Sequence, residues 1–240
     1  SGEVNADRVY LVGCGMGGSG VCALIPLLAA RLAGAVSISP IAPTPLISSH
    51  EVPLYLCVDP TCTSRAHEQS ILCYKSQLEL LKAMMPSAYE FYFEQLTGSS
   101  AGFQAQKLKI FQKVSAKKRN IYPQMLVWHF EKSSLPSPFY WIRIPPIYCK
   151  PGSFVLAIHT GPNQFSLHSK NVPQVALRFN SSMIEFKLPI KILFNNITVF
   201  EGVISEDEEI VMKTFKELYD PCLCFSAEKL VDTVLGDSSD

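Results

Sequence analysis

Arg8-Val9-Tyr10-Leu11-Val12-Gly13-Cys14-Gly15-Met16-Gly17-Gly18 decides how the first half of this chain folds. A short β-rich run enters a cluster of glycines, and Val21 to Leu32 then shows an apolar face too broad for a surface helix. Strand, tight turn and buried helix is the unit that this order predicts. Downstream, Ala35 to Ser39 reads as a second strand stopped by Pro40, Pro43 and Pro45, and Pro53 to Val58 as a third ended by Asp59-Pro60. Ser64 to Met85 carries Ile71, Leu72, Leu78, Leu81 and Met85 at helical spacing, and Tyr89 to Phe93 reads as a fourth strand. Strands alternating with helices imply parallel pairing through right-handed crossovers, hence a layered α/β sheet.

The texture changes after a polar stretch, Thr97 to Gln106, and a basic helix-like piece, Lys107 to Lys118. Short β runs then recur at Met125 to Phe130, Tyr140 to Ile144, Phe154 to Thr160, Gln174 to Phe179, Ile184 to Leu188 and Lys191 to Phe200. Their spacing and their Pro, Gly and Asn separators predict an all-β, sandwich-like domain of antiparallel sheet. Glu208 to Leu218 reads as one amphipathic helix near the end. The expected organisation is an α/β domain over 1–118, a β-rich domain over 119–235 and a fraying polar tail over 236–240.

Lys+Arg and Asp+Glu balance at 21 each, so no overall field draws the chain to nucleic acid or to an anionic membrane. The basic run Lys113 to Arg119 reads as a solvated face, because it lacks the aromatic residues on which bases stack. Val21 to Ala42, the most apolar stretch, is interrupted by Pro26, Arg31, Gly34 and Pro40, so no membrane span is expected. Ser1-Gly2-Glu3 opens onto Asp7-Arg8 without the pattern of a signal peptide. The cysteines at 14, 22, 57, 62, 73, 149, 222 and 224 lie mostly in apolar runs, which favours a reducing compartment such as the cytoplasm. Cys222-Leu223-Cys224 is the one tight pair, and no second pair or His neighbour completes a zinc set. Neither a metal nor a cofactor is expected. Asn180-Ser181-Ser182 and Asn196-Ile197-Thr198 match the glycosylation acceptor pattern, which requires a secretory route that the sequence does not indicate.

Two motifs fit the glycine turn. Gly13, Gly15 and Gly18 satisfy the G-x-G-x-x-G spacing by which backbone N–H groups hold a pyrophosphate at a helix start. A Rossmann-like nucleotide site also needs Asp or Glu at the end of the next strand, where this chain has Ser37 and Ser39. The frame Gly13-Cys14-Gly15-Met16-Gly17 fits equally a nucleophile elbow, whose flanking glycines let a sharp strand-to-helix turn present its central residue. Asn5 to Gly13, Met16-Gly17-Gly18 and Ala33 to Ser39 together resemble the dienelactone-hydrolase and prolyl-oligopeptidase-like esterases of the α/β-hydrolase superfamily. The resemblance spans roughly residues 5 to 95 and implies Gly15 at the nucleophile position and Asp59 at the acid position. Arg119 to Pro123, Phe139-Tyr140-Trp141 and Phe194 to Phe200 are similar to the β-rich extension carried by some bacterial members.

The departures from that family decide the expected function. Acyl transfer needs a hydroxyl or thiol at the elbow centre, a His to take its proton and an acid to orient the His. Gly15 has no side chain, and no His occurs between Glu68 and Trp128, where the resemblance implies one. Cys14 and His67 are the nearest substitutes, one residue early and on a helix start, while Ser19 lies four residues late. Cys14 otherwise reads as a packed residue, His67 as a surface residue and Asp59 as a turn-forming residue before proline. His50 falls in a loop, and His129, His159 and His168 fall in the β-rich domain. The expectation is a catalytically silent protein with a structural or interaction role. The alternatives are an esterase or peptidase-like hydrolase completed from outside this chain and a nucleotide-binding protein. Only seven residues precede the first strand at Arg8. If that strand is central, as in the family, a second polypeptide or self-association is expected to cover the incomplete sheet.

Overall fold

A computed structural model of the chain describes residues 4–59, 61, 64–85, 88–97, 100–130 and 138–233. They form two compact units, Ser1–Asn120 and Ile121–Asp240.

In the first unit a 3-10 turn at Ala6–Arg8 leads into β1 (Tyr10–Cys14), α1 (Met16–Leu28), β2 (Gly34–Ile38), β3 (Leu54–Val58), α2 (Arg65–Met84), β4 (Phe91–Gln95) and α3 (Ser100–Ser115). The four strands pair in parallel in sequential order, β1-β2-β3-β4. β1 starts later than Arg8 because Asn5 Oδ1 accepts from Asp7 N at 3.0 Å and winds Ala6–Arg8 into its turn. All five residues of β2 are buried. One face of the sheet packs Val36, Ile38, Tyr55 and Cys57 against Leu96 and against Ile110 and Val114 of α3. α1 lies along β1 and β2 on the close approach of Gly18, where a Cβ would stand 2.7 Å from Ile38 O. Ser64 caps α2, which buries Ser70, Tyr74, Leu78 and Leu81 along one helical stripe.

Two expectations for this unit are corrected. Residues 100–106 of the polar stretch belong to α3, whose apolar positions Ile110 and Val114 supply the packing that holds the helix. The basic run after it is solvated at Lys113 and Lys118, with Lys113 pairing Glu94 at 3.3 Å and Lys117 pairing Glu90 at the surface, but it ends inward: the side chain of Arg119, only 1% exposed, pairs Asp7 at 3.0 Å.

The second unit contains β5 (Met125–His129), β6 (Ile142–Arg143), β7 (Phe154–Gly161), β8 (Gln164–Lys170), β9 (Gln174–Phe179), β10 (Ile190–Phe194), β11 (Ile197–Gly202), α4 (Glu208–Leu218) and β12 (Ala227–Asp232). They form one sheet of order β11-β10-β8-β7-β5 and another of order β12-β9-β6. The first sheet is mixed rather than antiparallel throughout. β9 leaves for the other sheet, so β10 returns parallel to β8. The two sheets meet through rings, with Phe165 of β8 lying 5.0 Å from Phe179 of β9 and 5.6 Å from the fully buried Trp141.

Four readings of this unit change. Ile184 to Leu188 is a turn, because the Asn163 carboxamide accepts from Glu185 N and donates to Glu185 O, both at 2.8 Å. Lys191 to Phe200 is a hairpin, bent at Asn195 and Asn196 with φ of 49° and 67°. Tyr140, at φ 54°, turns the chain between Phe139 and Ile142 and shortens the strand expected there to two residues. β8 and β12 are additional strands.

Candidate functional site

The strand-to-helix junction turns on a single residue. β1 ends at Cys14, α1 begins at Met16, and Gly15 between them has φ 58° and ψ −119°. Its N–H donates to Ile38 O at 2.9 Å and its carbonyl accepts from Ser19 N at 3.1 Å, so the turn is fixed to β2 and to the first turn of α1. The flank is tight. A Cβ at Gly13 would stand 2.2 Å from Gly17 O, whereas one at Gly15 would meet no atom within 4 Å. The apex of the turn thus faces open space and carries no side chain.

The neighbouring candidates lie elsewhere. Cys14 is exposed, but its register partner is Ile38, so its side chain belongs to the sheet face shared by Val36 and Ile38 and does not project from the apex. Ser19 Oγ accepts from Ile41 N and Ala42 N, both at 2.9 Å, and so pins the loop that follows β2. Ser37 Oγ donates to Gly18 O at 2.9 Å, another tie between α1 and β2. Of the three glycines spaced for a phosphate, Gly15 already directs its N–H at the sheet.

Asp59 and His67 are each engaged locally. Asp59 Oδ1 accepts from Thr61 N at 2.9 Å and from Thr61 Oγ1 at 2.6 Å, an Asx turn at the end of β3. Its own N–H donates to Oγ of Ser39, a buried residue at φ 44° that stitches the ends of β2 and β3. His67 Nδ1 bonds the capping Ser64 Oγ at 2.8 Å, and among the described residues no hydrogen bond joins Asp59 to His67. His50, read as a loop residue, is buried and edge-on to Tyr89 at 6.0 Å. His159 stacks on Phe165 at 4.5 Å, where burial holds its pKa below the ordinary value. His168 Nδ1 meets Asn195 Oδ1 at 2.7 Å.

The described thiols are free, and burial pushes several upward, that of Cys57 to about 12 with help from Glu94. Cys62 lies outside the described residues. Among those residues no three His, Cys, Asp or Glu side chains gather as a metal would require, and no helix is long and apolar enough to cross a membrane.

A second feature adjoins the turn. β1 is an edge of its sheet, and Val9, Val12 and Met16 beside it are exposed. Leu24 and Leu27 of α1 are 43% and 51% exposed, so the helix read as buried is buried along one stripe, Gly18, Val21, Cys22 and Ile25. The sequence carries a signal for this surface in the absence of any charged residue between Arg8 and Arg31. Composition cannot distinguish such a stretch from a core helix, because only the strand order places β1 at the edge.

Comparison with protein families, with curated proteins and with solved structures finds no match to this chain.

Proposed function

We propose that the first unit is a catalytically silent relative of the α/β-hydrolases, of the dienelactone-hydrolase and prolyl-oligopeptidase-like type, joined to a sandwich-like β domain and serving a structural or protein-interaction role. The observation that carries this reading is Gly15. Its backbone makes a sharp strand-to-helix turn with an apex open to space, which is how an elbow presents a nucleophile, yet it has nothing to present. The sequential parallel strand order supports the kinship. The local bonds of Asp59 and His67 support the silence, because an acid oriented by Thr61 and a His turned to Ser64 do not form a relay to the apex. The exposed, uncharged flank of β1 and α1 supports an interaction role, with a second polypeptide or self-association covering the edge.

The test is turnover of short aryl esters and a chromogenic prolyl peptide by the full chain. Release at the rate of buffer alone is expected. Saturable turnover would overturn the reading in favour of a hydrolase completed by residues outside this chain.

A further inference from the structure

Burial alternates through the connection from α4 to β12. Leu223 and Phe225 are fully buried, whereas Cys222 is exposed and Cys224 half-buried, so the two thiols share the outer side of the segment. The backbone beneath them is pinned. Tyr122 Oη donates to Cys222 O at 2.9 Å, Asn180 Nδ2 donates to Cys224 O at 3.1 Å, and Asp220 Oδ1 accepts from Cys222 N at 3.0 Å. Pro221–Leu223 forms a 3-10 turn in which Leu223 N donates to Asp220 O at 3.0 Å. The dihedrals of the one residue between two Cα atoms set their separation, so helical Leu223 holds those of Cys222 and Cys224 about 5.5 Å apart, inside the span that a disulfide bridges. Cys224 Sγ lies 3.6 Å from Asp220 O, to which it is a weak donor. Burial raises the pKa of this thiol, and the neighbouring Asp220 and Cys222 raise it further.

We propose that Cys222 and Cys224 form a redox-modification site, at which a low-molecular-weight disulfide closes the two thiols into a bridge across Leu223. The site lies in the second unit and is independent of the silent elbow. With glutathione disulfide the balance is as follows. Cys222, as the thiolate, attacks one sulfur of the reagent, forms a mixed disulfide and releases one glutathione thiolate. Cys224 then gives its proton to solvent, attacks Cys222 Sγ and releases the second glutathione. Two thiols are oxidised to one disulfide while one disulfide is reduced to two thiols. Exposure sets the order: the open thiol attacks first, and the shielded one, held beside it, resolves. Side chains on either side of a helical residue diverge, so closing the bridge loosens the turn and draws Cys224 Sγ off Asp220 O. A bridge closed at that cost is readily reduced, which makes it a reversible mark rather than a structural staple.

The test is to treat the folded full chain with glutathione disulfide, alkylate the remaining thiols, digest with trypsin and weigh the peptide over residues 217–229, whose only cysteines are these two. The wild-type peptide is expected to lose two hydrogens and take no alkyl group, and excess reduced glutathione should restore both thiols. Cys224→Ser should instead hold one glutathione on Cys222, and the thiol left in Cys222→Ser should react about tenfold more slowly or worse. A wild-type peptide that keeps glutathione while Cys224 is alkylated overturns the proposal. So do two alkylated thiols at every ratio of the two glutathiones, or a bridge that forms only when the chain is unfolded in urea. If a variant misfolds, the wild-type peptide decides alone. Ester turnover reads the first unit separately, so an active chain can still bridge and a silent chain can still fail to.

Discussion

A methyl group at position 13 would press to 2.2 Å from Gly17 O, while at position 15 it would find empty space but a backbone at φ 58°. The two glycines are therefore needed for different reasons, one for room and one for conformation. Gly15→Ala should cost about 1–3 kcal/mol, the strain of a side chain in a sparsely populated region. Gly13→Ala should cost more, because the turn or the helix start must move. Urea unfolding of both variants checks the order. His159 supplies a second test at this scale. Its folded pKa lies below 6.5, so the unfolded chain takes up the proton first, and its contribution is present above pH 6.5 and lost as pH falls through the folded value. Glu228 adds a step at lower pH: burial raises its pKa, but the bonds from Lys213 and Arg178 outweigh burial and leave it below 4.5. The stability it adds is present above 4.5 and lost as pH falls through its folded value. The expected profile falls below pH 6.5 and again below pH 4.5, and His159→Phe, which keeps the stack on Phe165, should flatten only the first descent. Much of the candidate site was legible residue by residue. The glycine frame, the empty centre and the turn-forming habit of Asp59 follow from chemistry local in sequence. The roles of Ser19, Ser37 and Ser39 were not, because each bonds a segment brought near only by the sheet.

α4 shows what fastens an element to its unit. Asp207 caps it, Oδ1 accepting from Glu209 N at 2.8 Å, and Thr214 Oγ1 accepts from Phe225 N at 3.1 Å. Beneath it the fully buried Arg178 of β9 donates from Nε to Glu228 Oε2 at 2.9 Å, and its Nη2 lies 2.7 Å from Glu217 Oε2. The second contact is off the hydrogen-bonding angle, so it acts through charge. Lys213 at 2.9 Å and Arg143 at 3.9 Å from Glu228 Oε1 complete the group. Arg178→Met removes the cation and leaves two carboxylates facing a buried apolar chain. It should cost about 3–5 kcal/mol, much of it recovered by adding Glu228→Gln, and a double-mutant cycle in urea measures the coupling. The bounds of α4 follow from the sequence because its cap and amphipathic spacing are local. β8 alternates polar and apolar residues over Gln164–Lys170 and was legible in principle, but only two large apolar side chains, Phe165 and Leu167, mark it. The β10–β11 hairpin was read as one run over Lys191 to Phe200, although Asn195-Asn196 is a pair suited to positive φ in a two-residue turn.

At the scale of the molecule, alternating strands and helices followed by short strands marked an α/β unit and then a β-rich one. Strand order is not written locally, so the parallel β8–β10 pair was not legible, and the edge at β1 was expected only through the family resemblance. That edge gives the first unit its character: an elbow-like turn with an empty apex, beside a strand at the edge of the described sheet with an uncharged flank. On the reading proposed above, such a unit attacks no ester. Intact mass after brief treatment with a fluorophosphonate tests the silent elbow most directly, since that reagent esterifies a hydroxyl activated by a base far faster than an ordinary one. The account predicts an unchanged mass, and one stoichiometric adduct on the folded chain, lost when the chain is unfolded before treatment, would contradict it.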